Sequence, residues 1–119
     1  MSIKFFLIRE IGSQNLCNHF KKNIMELRIK EQSWIAKLAA KKLKSKNVAI
    51  VIGSTIHLYN VPKHQFLQNE KWVKHEVCHL KQFQKHGNYI FILKYLWESL
   101  QHGYHQNKYE KEARRAEEE

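Results

Sequence analysis

Aspartate is absent from the chain, and proline, cysteine and glycine are scarce. All eleven acidic residues are glutamates. The chain therefore lacks aspartate, which is a common hydrogen-bond partner of histidines that bind a metal. The two cysteines, Cys17 and Cys78, are too few for a disulfide framework. Cys78 lies in the segment His75–His79, whose sequence is HEVCH. A cysteine at this position fits a reducing compartment better than an oxidising one. We therefore expect a fold that depends on its packed core and not on cross-links.

Long apolar runs are also missing. The apolar stretch Phe5–Ile8 is followed at once by charged residues and is too short for a signal-peptide core. The most apolar window, Tyr89–Leu100, is interrupted by Lys94 and Glu98 and falls well short of the ~20 residues of a membrane span. These features predict a cytoplasmic protein with no membrane span.

Negative charge is in short supply. The chain has 21 Lys and Arg against 11 acidic residues, a formal net charge of +10. Such a surface attracts anions, so an acidic partner is expected. The lysine-rich stretch Lys37–Lys46 is interpreted as a solvated helix face. Its alternative is a nucleic-acid-binding surface, which we rank lower because no stacking aromatic residues accompany the lysines.

The pattern of apolar residues predicts one α+β domain spanning 1–119. Residues 18–46 repeat apolar side chains at helical spacing and predict an N-terminal helical region. Two β-branched runs, Val48–Ile52 and Thr55–Tyr59, flank Gly53-Ser54 and predict an antiparallel hairpin. Residues 47–116 are expected to hold the sheet and the core around a metal site.

Three helices are predicted after the hairpin. The first begins near Asn69 and ends at Gly87. The second, Tyr89–Gln101, is apolar nearly all round and is predicted to be buried, ending near Gly103. Asn107 is expected to cap the third. The three tryptophans fall in apolar helical patterns and are predicted to be core residues: Trp34, Trp72 and Trp97.

The segment His75–His79 reads HExxH. On a helix, His75 and His79 lie about 40° apart and one turn apart, so both imidazoles reach one metal ion. Glu76 points in a different direction from the two histidines, and we expect its carboxylate to lie beside the open coordination position of the metal. A zinc ion with three protein ligands lowers the pKa of its water towards ~7, and a neighbouring carboxylate can accept the proton. The pattern therefore predicts a Zn²⁺ site, with a downstream glutamate as third ligand.

Three segments resemble the minimal zincin metallopeptidases of the gluzincin type, in particular a small bacterial family. They are a strand at 52–58, HExxHxxQ at 75–82, and a Gly-Tyr pair followed by a Glu-x-x-Ala helix within 103–113. The resemblance implies zinc ligands His75, His79 and Glu110, with Glu76 as general base. It also implies an edge strand that binds an extended peptide or protein substrate by adding a strand.

The third ligand has alternatives. A metzincin would need Gly and His where this chain has Gln82 and Lys85, so that branch is disfavoured. Glu110 and Glu112 lie about 200° apart on a helix and cannot both face the metal. The Glu-x-x-Ala spacing of the resembling family selects Glu110, and Glu112 is kept as the alternative ligand.

The predicted function is that of a zinc-dependent metallopeptidase. Tyr104 and His105 are candidates for stabilising a developing oxyanion beside the metal, although both also fit a polar loop. Many relatives place Asp or Asn where Arg114 stands, to orient a ligand histidine. That departure favours an alternative, a zinc-binding zincin-like protein without turnover that acts as an interaction module. A basic nucleic-acid-binding module is the second alternative.

Overall fold

The computed structural model describes residues 27–119. A small sheet is followed by helices, as predicted for an α+β chain. The elements are β1 (Arg28–Lys30), α1 (Trp34–Leu43), β2 (Val48–Ile52), β3 (Thr55–Tyr59), α2 (Lys63–Gln68), α3 (Glu70–His86), α4 (Asn88–Gln106) and α5 (Lys108–Ala116). The part of the predicted N-terminal helical region that precedes residue 27 lies outside the described residues.

The predicted hairpin is confirmed. β2 and β3 pair antiparallel, with Val48 opposite Tyr59 and Ile52 opposite Thr55. Gly53 in the two-residue turn has a φ of 64°, a conformation that glycine adopts without steric cost. The β-branched runs thus form strands where the sequence places them.

The sheet is mixed, however, and not antiparallel throughout. β1 lies at the other edge of the order β1-β3-β2 and pairs parallel with β3, Arg28 opposite Thr55. The prediction of a helix over residues 28–30 is therefore wrong, and the helix begins only at Trp34. Three residues are too few to show the alternation of apolar and polar side chains that predicts a strand. The pairing of β1 with β3 joins residues 27 positions apart, so a search for local periodicity does not detect it.

The core lies between the sheet and α3. Ile56 and Leu58 of β3 are completely buried, and so are Phe66 and Val73 of the first helices after the sheet. Trp72 is partly buried against this cluster, in line with its predicted core position. The helix α3, which carries His75 and His79, is therefore packed against the hydrophobic core.

The prediction that α4 is a buried helix is wrong. Among its residues only Phe91 is buried, while Ile92 and Tyr95 pack on the core from the same side. Trp97 is 61% exposed, and Trp34 of α1 is 65% exposed, so neither is a core residue. An apolar pattern shows which side chains of a helix could be buried, but it does not show whether another element of the fold covers them.

The ends of the helices follow the predicted signals. α3 stops at Gly87, whose φ is 85°, and Gly103 breaks the helical path of α4 with a φ of 82°. Asn107 caps α5, its Oδ1 accepting a hydrogen bond from the Tyr109 amide at 2.8 Å. These stops turn α5 back so that it packs along α3.

Across residues 27–119, none of the helices has the length and apolar character needed to cross a membrane.

Candidate metal centre

Two elements build the site. α3 presents His75 and His79 on one face, with ring centroids 5.0 Å apart. α5 brings Glu110 between them: Oε1 lies 3.1 Å from His75 Nε2 and Oε2 lies 3.1 Å from His79 Nε2. One ligand atom from each residue lies within 4.8 Å of the other two. The structure thus brings together the two predicted histidines and Glu110, in an arrangement that can hold a metal ion.

The far nitrogen of each histidine has its own partner. His75 Nδ1 lies 3.0 Å from Glu117 Oε2, and His79 Nδ1 lies 2.9 Å from Gln82 Oε1. A proton held on Nδ1 in each ring leaves Nε2 as the atom that would bind a metal ion, once that ion replaces the proton which Nε2 donates to Glu110. That tautomer is the one a metal ligand needs, and partners of this kind fix the ring orientation.

Gln82 is itself held by a network. Its Nε2 donates to the Tyr109 carbonyl and to Glu112 Oε1, both at 3.1 Å. The amide is therefore oriented with its oxygen towards His79. Cys78 Sγ also lies 3.7 Å from Glu112 Oε1, and burial with this carboxylate raises the pKa of the thiol to about 12. Cys78 is accordingly a protonated, unreactive thiol.

Glu112 is not part of the triad. Its carboxylate instead accepts a hydrogen bond from Gln82, which in turn contacts His79. The structure therefore places Glu110, and not Glu112, at the histidines, which is the choice that the Glu-x-x-Ala spacing favours.

Glu117 was not indicated by the sequence. It lies one helical turn beyond Arg114, the position at which the resembling family has Asp or Asn, and reaches His75 from the end of α5. Arg114 instead donates to the His105 carbonyl. Position 114 thus has no carboxylate, but Glu117 makes the corresponding contact with His75. A search of the sequence for acidic residues one turn further along α5 could have found it.

The electrostatics of the triad favour an ionised carboxylate. Burial alone would raise the pKa of Glu110, but hydrogen bonds from His75 and His79 outweigh burial and hold that pKa well below its usual range. Tyr95 donates its hydroxyl to Glu110 Oε2 at 2.7 Å and adds to the same effect. Glu110 is therefore a permanently charged ligand candidate.

The histidine pKa values move the other way. Burial lowers the pKa of His75, but its hydrogen bond to Glu110, the charge of Glu76 and the hydrogen bond to Glu117 together raise it to about 9. The pKa of His79 is raised by the same kind of contacts against the same burial. The site thus concentrates negative charge, as a cation site requires.

Glu76 differs from the other carboxylates of the site. It is 4% exposed, and its Oε2 has no hydrogen-bond partner among the described residues. Burial raises its pKa to about 7, against the opposing charges of His79 and His75. A buried carboxyl oxygen without a partner normally costs free energy, so its presence beside the triad fits a group that contacts a bound water or substrate.

A cleft of about 520 Å³ opens beside the triad and is lined by His75 and Glu76. The edge strand β2 forms one wall, with Val48 and Ala49, and α3 forms the other. Tyr104 lines the cleft, and burial with the nearby charge of Glu110 raises the pKa of its hydroxyl to about 12. His105 is exposed and does not line this cleft. Of the two candidate oxyanion stabilisers, the structure therefore brings only Tyr104 to the site.

The described residues define an α+β domain with a candidate His-His-Glu metal site next to an edge strand. Comparison of the chain with protein-family models, with curated proteins and with solved structures found no match. The resemblance to gluzincin-type peptidases therefore rests on the motif residues and on the geometry that they adopt.

Proposed function

We propose that this protein is a zinc-dependent metallopeptidase. The observation that supports the proposal most directly is the convergence of His75, His79 and Glu110 within 4.8 Å. Two imidazoles and one carboxylate with an open fourth position form a ligand set typical of catalytic zinc. Calcium and magnesium prefer oxygen ligands throughout, so the histidine pair favours zinc over either.

The residues of the chain divide the work of hydrolysis. Zinc, when bound, would activate a water and polarise the peptide carbonyl. Glu76 accepts the proton of the attacking water and passes it to the departing amine. Its carboxylate is buried beside His75, and its Oε2 has no hydrogen-bond partner among the described residues, so this oxygen is free to accept a proton from the water. Tyr104 keeps its proton at neutral pH and can donate a hydrogen bond to the developing oxyanion.

The cleft supports an extended peptide as substrate. Among residues 27–119, β2 lies at an edge of the sheet and pairs on one side only, and its residues Val48 and Ala49 line the cleft beside His75. A peptide can add there as a further antiparallel or parallel strand. The net charge of +10 favours substrates or partners that carry acidic residues.

The proposal is tested by metal content and turnover measured on the same samples. Protein as purified should retain one zinc per chain after dialysis and cleave casein or a peptide library. Glu76→Gln should keep the zinc and lose at least 100-fold in rate, because the variant lacks the base but no ligand. Glu110→Ala should lose the zinc, whereas Glu112→Ala should keep it.

Two outcomes would count against parts of this proposal. Loss of zinc from Glu76→Gln would make Glu76 a ligand. Stoichiometric zinc without cleavage of any peptide would replace the peptidase by a zinc-binding protein of the same fold.

A further inference from the structure

The outer face of α4 is the largest unexplained feature of the described residues. Six large apolar side chains lie on it, between 53% and 84% exposed: Tyr89, Ile90, Leu93, Leu96, Trp97 and Leu100. On a helix these positions fall within an arc of about 120°, opposite the arc that Phe91 and Tyr95 turn to the core. We call these six residues the α4 stripe. None of them is charged.

The stripe is large for a monomer surface. Aromatic side chains carry roughly 150–250 Å² each, so Tyr89 and Trp97 together expose on the order of 300 Å². The four aliphatic residues add a comparable amount, at about 60–120 Å² for each whole side chain. The sum, about 500–600 Å², reaches the upper limit of patches on typical monomers. Two such surfaces, with their polar margins, bury about the 1,200 Å² at which specific interfaces begin.

Four of the six residues of the stripe are arranged symmetrically along the sequence. Counting outwards from the bond between Leu96 and Trp97, Leu93 and Leu100 lie at equal distances on either side. When two copies of α4 cross antiparallel on a two-fold axis at this point, Leu93 faces Leu100 of the other copy and Leu96 faces Trp97. An isologous interface requires this kind of self-complementary pattern.

The margins of the stripe are compatible with that arrangement. In the same register Ile90 approaches Gly103 of the other copy, where no heavy atom lies within 4 Å of the position that a β-carbon would take. Lys94 lies at the border with its amine 3.1 Å from His86 Nδ1, and Glu98 contacts Lys108. Both side chains thus have polar partners within their own chain.

We propose that the α4 stripe is the interface of a homodimer in which two α4 helices pack antiparallel about a two-fold axis. The absence of charge from the stripe favours a second copy over an acidic protein, which would need basic contacts at the centre of the surface. The dimer forms against the repulsion of two chains of net charge +10. Its affinity therefore rises with salt, because salt screens this repulsion.

The test is the mass of the full-length protein in solution, by sedimentation equilibrium over a range of concentrations. The expected species has twice the 14.4 kDa of the chain. Leu93→Glu should weaken the dimer by about 100-fold or more, since the two-fold axis buries the new charge twice. Leu38→Glu is the matched control: Leu38 is a similarly exposed leucine on α1, off the stripe, and its variant should remain a dimer. Circular dichroism checks that each variant is folded.

Paired substitutions test the register. Leu93→Glu combined with Leu100→Lys should restore the dimer, because each glutamate faces a lysine of the other copy. Leu93→Glu combined with Leu100→Glu should stay monomeric. Failure of the first pair to restore association would overturn the antiparallel register.

A wild-type monomer at every concentration would overturn the proposal as a whole. In that case, binding to vesicles that contain phosphatidylserine, weakened by salt, would assign the stripe to an anionic lipid surface. A monomer whose Trp97 is shielded from iodide quenching without vesicles would assign it to another part of the same chain.

Discussion

At the scale of single residues, the site depends on which side chain contacts the Nδ1 atom of each imidazole. Glu110 contacts both Nε2 atoms, but Glu117 and Gln82 decide which tautomer each ring adopts. The sequence indicates His75, His79 and Glu110, because a helical period and a family-like spacing are local patterns. It does not indicate Glu117, since that contact depends on how the end of α5 lies on α3. Arg114, read alone, predicts a histidine without a carboxylate partner, and this is wrong.

Substitution of Glu117 should therefore weaken metal binding without removing a ligand. Glu117→Ala is expected to lower zinc affinity by about 10-fold or more, because it removes the acceptor that orients a ligand histidine and such a partner typically contributes this much. The measurement is competition with a chromophoric chelator at fixed pH. Glu118→Ala is the matched control, since Glu118 pairs with the exposed Lys71 and not with a residue of the triad. Equal affinities for both variants and the wild type would show that Glu117 does not orient His75.

At the scale of secondary-structure elements, prediction succeeds where a signal is local. Gly53-Ser54 marks the hairpin, Gly87 ends α3 and Asn107 begins α5. It fails where the answer lies in another part of the chain. β1 is a strand only because β3 pairs with it, and α4 is apolar all round although only one of its faces meets the core.

Asn107 is the residue that fixes α5 relative to α4. It is completely buried, and besides capping α5 its Nδ2 donates to the Tyr95 carbonyl at 3.1 Å and to Ser99 Oγ at 2.9 Å. All three bonds involve backbone or side-chain groups of the two helices that bracket the turn. The position of Glu110, three residues on, depends on this junction.

Asn107→Ala should consequently lower both stability and zinc affinity. The loss of a cap and of two buried hydrogen bonds is expected to cost about 2–4 kcal/mol in the free energy of unfolding, measured by urea denaturation. Asn69→Ala provides the comparison, because Asn69 caps α3 with a single bond to the Trp72 amide and is exposed. It should cost about 1 kcal/mol. If both variants cost the same, the bonds from Asn107 to α4 contribute nothing to the junction.

At the scale of the whole molecule, the candidate site joins elements far apart in the sequence. His75 and His79 belong to α3, Glu110 belongs to α5, and the exposed helix α4 lies between them along the chain. Without metal, the negative charge that gathers around the two histidines is balanced by their protons, whose pKa values are raised for this reason. A bound cation would link α3 directly to α5, in addition to the packing between these helices.

Zinc should therefore raise the thermal stability of the whole domain. A ligand that binds only the folded state stabilises it by about 4 kcal/mol when its free concentration is 1,000 times its Kd. For a chain of this length that corresponds to an increase in Tm of roughly 10–20 °C. The measurement is differential scanning calorimetry of metal-free protein with and without buffered zinc, and magnesium at the same concentration should have little effect. His79→Ala must lose most of the increase, because it removes one of the three ligands of the triad. An equal increase in that variant would mean that zinc stabilises the protein from some other group of residues, and the triad would not be the metal site.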